Sequence, residues 1–290
     1  MRLVGLLNEN QTWIGAEQGD EVVLLAPVDD FYADPERWLA ADALRGAERR
    51  PAAALEFRAP VRRDAKVFCA GLNYRAHAAE ADMATPDFPD VFGRWASTLV
   101  PSETPVPVPV GEPGLDWEGE LAVIVGRELR NASPTEVEDA VIGFTCFNDI
   151  SARTHQLNAS QWTVGKNADA SGPIGPVVVT RDEIPDPYAL RIRTRLDGET
   201  VQDGGTAQMI FNIGQIGAYV SECVTLLPGD VIATGTPEGI GAARKPPVFM
   251  RPGQVVEVEI ERIGVLRNPI VASNDRARVA AAILAARGEE

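Results

Sequence analysis

Apolar residues run unbroken from Leu121 to Val125 and stop at Gly126. A strand with one wet face would alternate, so this run predicts a strand buried on both faces. The segment Val255 to Glu261 is the contrast: Val256, Val258 and Ile260 alternate with Glu257, Glu259 and Glu261, the pattern of a strand with one solvated face. Short apolar runs at 2–7 and 21–26 read as an N-terminal hairpin or small sheet, joined by the polar segment Asn8 to Asp20. Further runs at Val67 to Ala70, Val141 to Phe147, Val177 to Thr180 and Val231 to Thr234 also predict strands. Asp197-Gly198, between Arg191 to Leu196 and Glu199 to Gln202, is a hairpin signal.

Helical signals are fewer. Asp34 as N-cap and Pro35 at the first position predict a helix over Pro35 to Ala47, and Ser133-Pro134-Thr135-Glu136 is a capping box. Ile213, Ile216, Val220 and Cys223 recur at helical spacing and read as core, and Asn274 to Arg287 reads as a C-terminal helix capped at Asn274 or Asp275. Residues 82–114, with Pro86, Pro89, Pro101, Pro105, Pro107, Pro109 and Pro113, read as an irregular cover over a functional site. Gly172 to Pro176 reads as a rigid turn. The sum is a mixed α+β, mostly β protein, with a small N-terminal domain over 1–62 and a main domain over 63–290.

Composition narrows the function. The formal net charge of -15 argues against a nucleic-acid surface and means that an anionic substrate must be drawn in by local cations. No apolar run approaches the ~20 residues of a membrane span, and the N-terminus lacks the regions of a signal peptide, so the expected location is the cytoplasm. Cys69, Cys146 and Cys223 are odd in number and lie among apolar residues, which predicts buried thiols without disulfides or zinc.

The candidate chemistry begins at the mouth of the buried strand. Glu118 and Glu120 point the same way, about 7 Å apart at ~3.4 Å per residue. Two carboxylates there need positive compensation, for which a divalent cation such as Mg²⁺ is the simplest, although the pair alone is a weak motif. Asn148-Asp149 ends the strand over Val141 to Phe147, where a third carboxylate could join the first two. His77 and Glu80 fall at i and i+3 if the chain turns helical after Asn73; they are then a carboxylate-oriented base or an ordinary surface pair. Arg153, Gln156 and Lys166 suit an oxyanion, or are ordinary surface polar residues. Gly235-Thr236-Pro237-Glu238-Gly239-Ile240-Gly241 allows close backbone approach to a ligand but is not a P-loop.

In order, Gly-Leu-Asn-Tyr-Arg-Ala-His-Ala-Ala-Glu (71–80), Asp-Trp-Glu-Gly-Glu-Leu-Ala-Val-Ile-Val-Gly (116–126), Phe-Asn-Asp-Ile-Ser-Ala-Arg (147–153), Gln-Trp-Thr-Val-Gly-Lys-Asn (161–167), Gly-Thr-Pro-Glu-Gly-Ile-Gly (235–241) and Gly-Val-Leu-Arg-Asn-Pro (264–269) resemble the fumarylacetoacetate hydrolase family. The resemblance spans roughly residues 62–272. It implies a β-sandwich or roll fold, one Mg²⁺ or Mn²⁺ per chain and commonly a homodimer. The implied metal ligands are Glu118, Glu120 and Asp149; His77 and Glu80 would activate water, and Lys166 would stabilise an enolate or oxyanion. Arg94, Arg153, Gln156, Gly235 and Thr236 fall where relatives meet substrate.

The implied activity is hydrolysis of a C–C bond in a small anionic acylpyruvate or β-diketo acid. Alternatives on the same centre are an oxaloacetate-type decarboxylase and a hydroxymuconate-type isomerase; another is an inactive relative that binds a keto acid. Two departures stand out. Arg94 replaces a lysine common in relatives, and Thr154-His155 replaces an Asp and an aromatic residue, leaving His155 as either a specificity residue or a neutral replacement.

Overall fold

Side chains of the Gly119–Val125 strand enter two different apolar clusters, because successive residues of a strand face opposite ways. Leu121, Val123 and Val125 pack with Val258, Ile260, Ile192 and Leu266, while Ala122 and Ile124 pack with Leu3, Phe31 and Phe147. All seven residues of the strand are buried, as the unbroken apolar run predicts. The structure, a computed structural model, describes residues 1–40, 42–80, 86–275, 279–280 and 284.

Two sheets build the described part of the chain. The larger has twelve strands; its main path runs Arg49–Pro51, Glu21–Pro27, Gln11–Gln18, Arg2–Asn8, Gly172–Thr180, Val141–Asn148, Gly119–Val125, Val231–Ala233, Lys66–Gly71 and Asp90–Trp95. The smaller runs Glu199–Gly205, Arg191–Leu196, Val255–Ile260, Gly264–Ala272 and Val106–Val108. Val256, Val258 and Ile260 bury one face of their strand, and the intervening Glu257 and Glu259 meet Arg193, Arg195 and Arg267 on the other. The fold is mostly β and two-layered, as expected.

Local signals and structure agree where a turn or cap defines the element. Asp197 and Gly198 take φ of 51° and 84°, the left-handed pair that joins Arg191–Leu196 to Glu199–Gly205. Both side chains of the Ser133/Glu136 capping box are in place on the Pro134–Ala140 helix.

Other expectations are corrected. The segment Asn8 to Asp20 is not a plain connection, because Gln11–Gln18 is a strand of a meander with Ile14 and Ala16 in the core. Its buried positions are mostly small, so the apolar signal is faint. The helix from Pro35 ends at Leu39, with Ala40 already extended; Asp34 does cap it, but alanine propensity alone does not sustain so short a helix. Residues 82–114 are not wholly irregular, since Asp90–Trp95 is a strand paired with Lys66–Gly71. Gly172 to Pro176 belongs to the Gly172–Thr180 strand, whose pairing with Val141–Asn148 shifts between Phe144 and Cys146. Ile213, Ile216 and Val220 are buried on the Ile213–Ser221 helix, but Cys223 lies past its end and is exposed. The C-terminal helix expected over Asn274 to Arg287 falls largely outside the described residues. No helix among the described residues is long and apolar enough to cross a membrane.

Candidate active site

Glu118, Glu120 and Asp149 converge because antiparallel pairing sets the Gly119–Val125 and Val141–Asn148 strands in register, Gly119 opposite Asn148. The Asp149 N–H donates to the Glu118 carbonyl at 2.9 Å, and the Glu118 N–H donates to Asn148 Oδ1 at 3.0 Å. One carboxylate oxygen from each of the three lies within 4.8 Å of the others, and all three residues are buried. Gly119, between the two glutamates, is a steric requirement: a Cβ there would lie 2.4 Å from Thr194 Oγ1 in the smaller sheet.

Cations reach two of the three carboxylates. Lys166, at the end of the Thr163–Lys166 helix, donates to Glu118 Oε2 at 2.7 Å and to Asp149 Oδ2 at 2.6 Å. Arg153 donates to Glu118 Oε1 at 2.6 Å, to Asp116 Oδ2 at 2.8 Å and to Gln156 Oε1 at 2.8 Å. Burial alone would raise the Glu118 carboxyl, but Lys166 and Arg153 hold it well below the usual carboxylate range. Burial likewise opposes the charge on Lys166, yet Asp149 and Glu118 hold its ammonium above the ordinary value. Glu120 differs. It accepts the Gly235 N–H at 2.9 Å but forms no ion pair among the described residues. Burial, followed by the charges of Asp149 and Glu118, pushes its carboxyl well above the usual range.

His77 stands on the Arg75–Glu80 helix, and its Nδ1 lies 2.9 Å from Glu80 Oε1. An ionised carboxylate only accepts, so Nδ1 carries the proton in the neutral ring and Nε2 keeps its lone pair. The Gly239 N–H donates to the other Glu80 oxygen at 2.9 Å, which ties the glycine loop to this pair. Gly235 has φ of 94° and would bring a Cβ within 2.9 Å of the Ala70 carbonyl, so both backbone and space demand glycine. Thr236 Oγ1 donates to the Gly119 carbonyl at 3.0 Å and accepts from Gln202 Nε2 at 2.8 Å.

A cavity of about 600 Å³ joins these groups: His77, Glu80, Glu118, Glu120, Asp149, Arg153, Gln156, Lys166 and Thr236 all line it. Gly235 contributes its N–H behind Glu120. Arg94 lies elsewhere. It is buried behind Asp149, bonded to Asp149 Oδ1 and to Ser171 Oγ at 2.6 Å, and is not part of the cavity wall. Arg94, expected at a substrate contact, here supports Asp149 from the Asp90–Trp95 strand, where it pairs with Val67. His155 also points away from the cavity wall: its Nδ1 is 2.5 Å from Glu112 Oε1, which also accepts the His155 N–H at 3.0 Å.

Asp116 is a further member that the sequence reading did not single out. Besides Arg153 it accepts the Gly241 N–H at 2.7 Å and the Ala242 N–H at 2.9 Å, holding arginine and glycine loop together. Its place in the Asp-Trp-Glu-Gly-Glu motif was the only signal. Phe92, Trp162, Arg244 and Lys245 also line the cavity without a sequence signal of their own.

The donor set suits a hard divalent cation. Glu118, Glu120, Asp149 and Asp116 face Lys166, Arg153 and Arg94, which leaves one buried carboxylate in excess, and Glu120 is the one without an ion pair. All-oxygen ligands favour Mg²⁺ or Mn²⁺ over the softer metals.

The chain is similar to known proteins over most of its length. Residues 66–271 match the family described as "Fumarylacetoacetate (FAA) hydrolase C-terminal". A mitochondrial oxaloacetate tautomerase of Homo sapiens is 44% identical over 223 residues, which cover 76% of this chain and 71% of the relative. The fumarylacetoacetate hydrolase of psychrophilic Exiguobacterium antarcticum superposes with a TM-score of 0.81 at 33% identity, covering 94% of this chain and 99% of the other. The maleylpyruvate hydrolase of Sphingobium sp. SYK-6, solved with manganese(II) and pyruvate, gives 0.77 at 27% identity, with 94% and 99% covered.

Proposed function

The chain belongs to the fumarylacetoacetate hydrolase family, and from that premise we propose that it hydrolyses a carbon–carbon bond in a small acylpyruvate or β-diketo acid. The supporting observation is the placement of the His77–Glu80 pair and the Glu118, Glu120 and Asp149 cluster on one cavity. Nε2 of His77 takes a proton from water, and the resulting hydroxide attacks the carbonyl distal to the keto-acid end. Glu80, bonded through Nδ1, steadies the imidazolium. The C–C bond then breaks: the acyl half leaves as a carboxylic acid, and the electron pair stays on the pyruvate half as an enolate. A divalent cation held by Glu118, Glu120 and Asp149, Mg²⁺ or Mn²⁺, supplies Lewis-acid stabilisation of that negative charge when bound. Lys166 and Arg153, both on the cavity wall, offer charged N–H donors to the same end of the substrate. The proton on His77 finally passes to the enolate carbon, giving pyruvate.

The identity to an oxaloacetate tautomerase favours a second reading, in which His77 moves a proton between carbon and enol oxygen of oxaloacetate without water attack. An ultraviolet assay separates the two. Acetylpyruvate, fumarylpyruvate and enol-oxaloacetate are followed side by side with Mg²⁺, Mn²⁺ or excess chelator. Metal-dependent loss of an acylpyruvate, with pyruvate formed in equal amount, is the expected result. Rapid enol loss from oxaloacetate with both acylpyruvates untouched would replace the hydrolase by the tautomerase.

A further inference from the structure

The peptide between the two glutamates is held by side chains at a point where its sheet neighbour has ended. Val231–Ala233 pairs with Ala122–Ile124, and the Thr234 N–H extends that ladder to the Leu121 carbonyl at 3.0 Å. Gly119 is the next residue whose backbone groups face that side, but Gly235, at φ of 94°, breaks the neighbouring strand before reaching it. Buried N–H and carbonyl groups need partners, and here side chains supply both. The Gly119 N–H donates to Gln202 Oε1 at 3.0 Å, and the Gly119 carbonyl accepts from Thr236 Oγ1 at 3.0 Å.

Gln202 is buried, and all four of its hydrogen-bonding positions are used. Besides Gly119, Oε1 accepts from Thr194 Oγ1 at 2.7 Å; Nε2 donates to Thr236 Oγ1 and to the Pro237 carbonyl, both at 2.8 Å. The Gly119 N–H can only donate and the Pro237 carbonyl can only accept, which fixes the orientation of the amide. Gln202 comes from Glu199–Gly205, the edge strand of the smaller sheet, and is not part of the cavity wall. Its amide thus joins that sheet to the strand of the glutamates and to the glycine loop. The loop then bonds both halves of the site: the Gly235 N–H donates to Glu120 and the Gly239 N–H to Glu80, each at 2.9 Å. Gly239 also lies against the Gln202 strand, since a Cβ there would stand 2.5 Å from the Val201 carbonyl.

We propose that Gln202 is a positioning residue of the site. It fixes the Gly119 peptide, and with it the relative placement of Glu118 and Glu120, and it anchors the glycine loop that braces Glu120 and Glu80. This rests on the reading of Glu118, Glu120 and Asp149 as ligands of a divalent cation. Gln202 touches neither cation nor substrate and acts through the residues it holds.

The test reads the metal and needs no turnover. Mn²⁺ is titrated into the chelator-stripped full chain, with the free ion followed by electron paramagnetic resonance and the spectrum of the bound ion recorded in frozen solution. Gln202→Met, similar in size but without the amide, is expected to weaken Mn²⁺ binding ~10–100-fold, the usual effect of losing a group that orients metal ligands, and to alter the bound-ion spectrum. Gln202→Asn withdraws the amide by one methylene and is expected to do the same. Thr194→Val removes only the bond that Oε1 accepts from within the smaller sheet; it is expected to melt lower yet keep the wild-type affinity and spectrum. Wild-type affinity and spectrum in a folded Gln202 variant, equal weakening in Thr194→Val, or failure of both Gln202 variants to fold would overturn the positioning role while leaving the metal centre standing. A wild-type protein that binds no Mn²⁺ would overturn both.

Discussion

Glu120 is the least compensated carboxyl of the site, and it is the residue whose behaviour separates a metal centre from a plain ionic network. Glu118 and Asp149 each have a lysine or arginine partner, whereas Glu120 has one backbone N–H. Glu120→Gln is therefore expected to leave the melting temperature in chelator unchanged or raised, because burial and the neighbouring carboxylates already drive this carboxyl, which has no ion pair among the described residues, towards its neutral form. The same variant should lose most of the stabilisation that Mn²⁺ gives the wild type, about 2.7 kcal/mol at a hundredfold excess over Kd. A drop in chelator with the metal shift intact would mean that Glu120 is structural. His77→Ala is expected to lower kcat by ~10²–10⁴-fold with Mn²⁺ affinity unchanged, the span of a lost general base. Paired loss of metal and activity would instead place His77 in the cation's support. The glutamate pair was legible in the sequence because strand parity is local. The position of Arg94 was not, since its partner Asp149 is 55 residues away and the contact depends on sheet register.

The short Arg153–Leu157 helix carries two cavity residues, Arg153 and Gln156, yet its own N-cap, Ala152, offers no side-chain bond. Glu112 supplies the missing cap from another segment, accepting the Thr154 N–H at 3.2 Å and the His155 N–H at 3.0 Å. A carboxylate also suits the positive end of a helix. Burial works against the Glu112 charge, but the bonds from His155 and Thr154 prevail and lower its carboxyl below the usual value. Its contribution is thus present above the ordinary carboxylate range and is lost as pH falls through the lowered value. Glu112→Ala is expected to cost about 1 kcal/mol of stability. Because Arg153 rides on this helix, KM should rise more than kcat falls, with Glu112→Gln recovering part of the loss; unchanged kinetics would show that Arg153 is held by Asp116 alone. Capping boxes and the Asp197-Gly198 hairpin were legible because cap and helix are neighbours in sequence. A cap delivered across 42 residues, and a strand such as Gln11–Gln18 whose buried positions include Gly15 and Ala16, leave no local pattern to read.

At the scale of the molecule, the two sheets bring together segments that the chain keeps far apart. His77 follows one strand of the larger sheet, Glu118 and Asp149 sit at the paired ends of two others, and the glycine loop follows a fourth. Motif order alone indicated the family, but cavity walls such as Phe92, Trp162 and Lys245 arise only from tertiary packing. The N-terminal strands extend the same sheet, with Leu3 opposite Val178. The account depends most on the claim that this convergence holds one divalent cation. Electron paramagnetic resonance of Mn²⁺ added to the chelator-stripped protein tests it directly. The free-ion signal should stay suppressed until one equivalent per chain is added, and Asp149→Asn should restore it from the first addition. A free-ion signal that rises from the start with the wild-type protein would contradict the metal centre and the chemistry built on it.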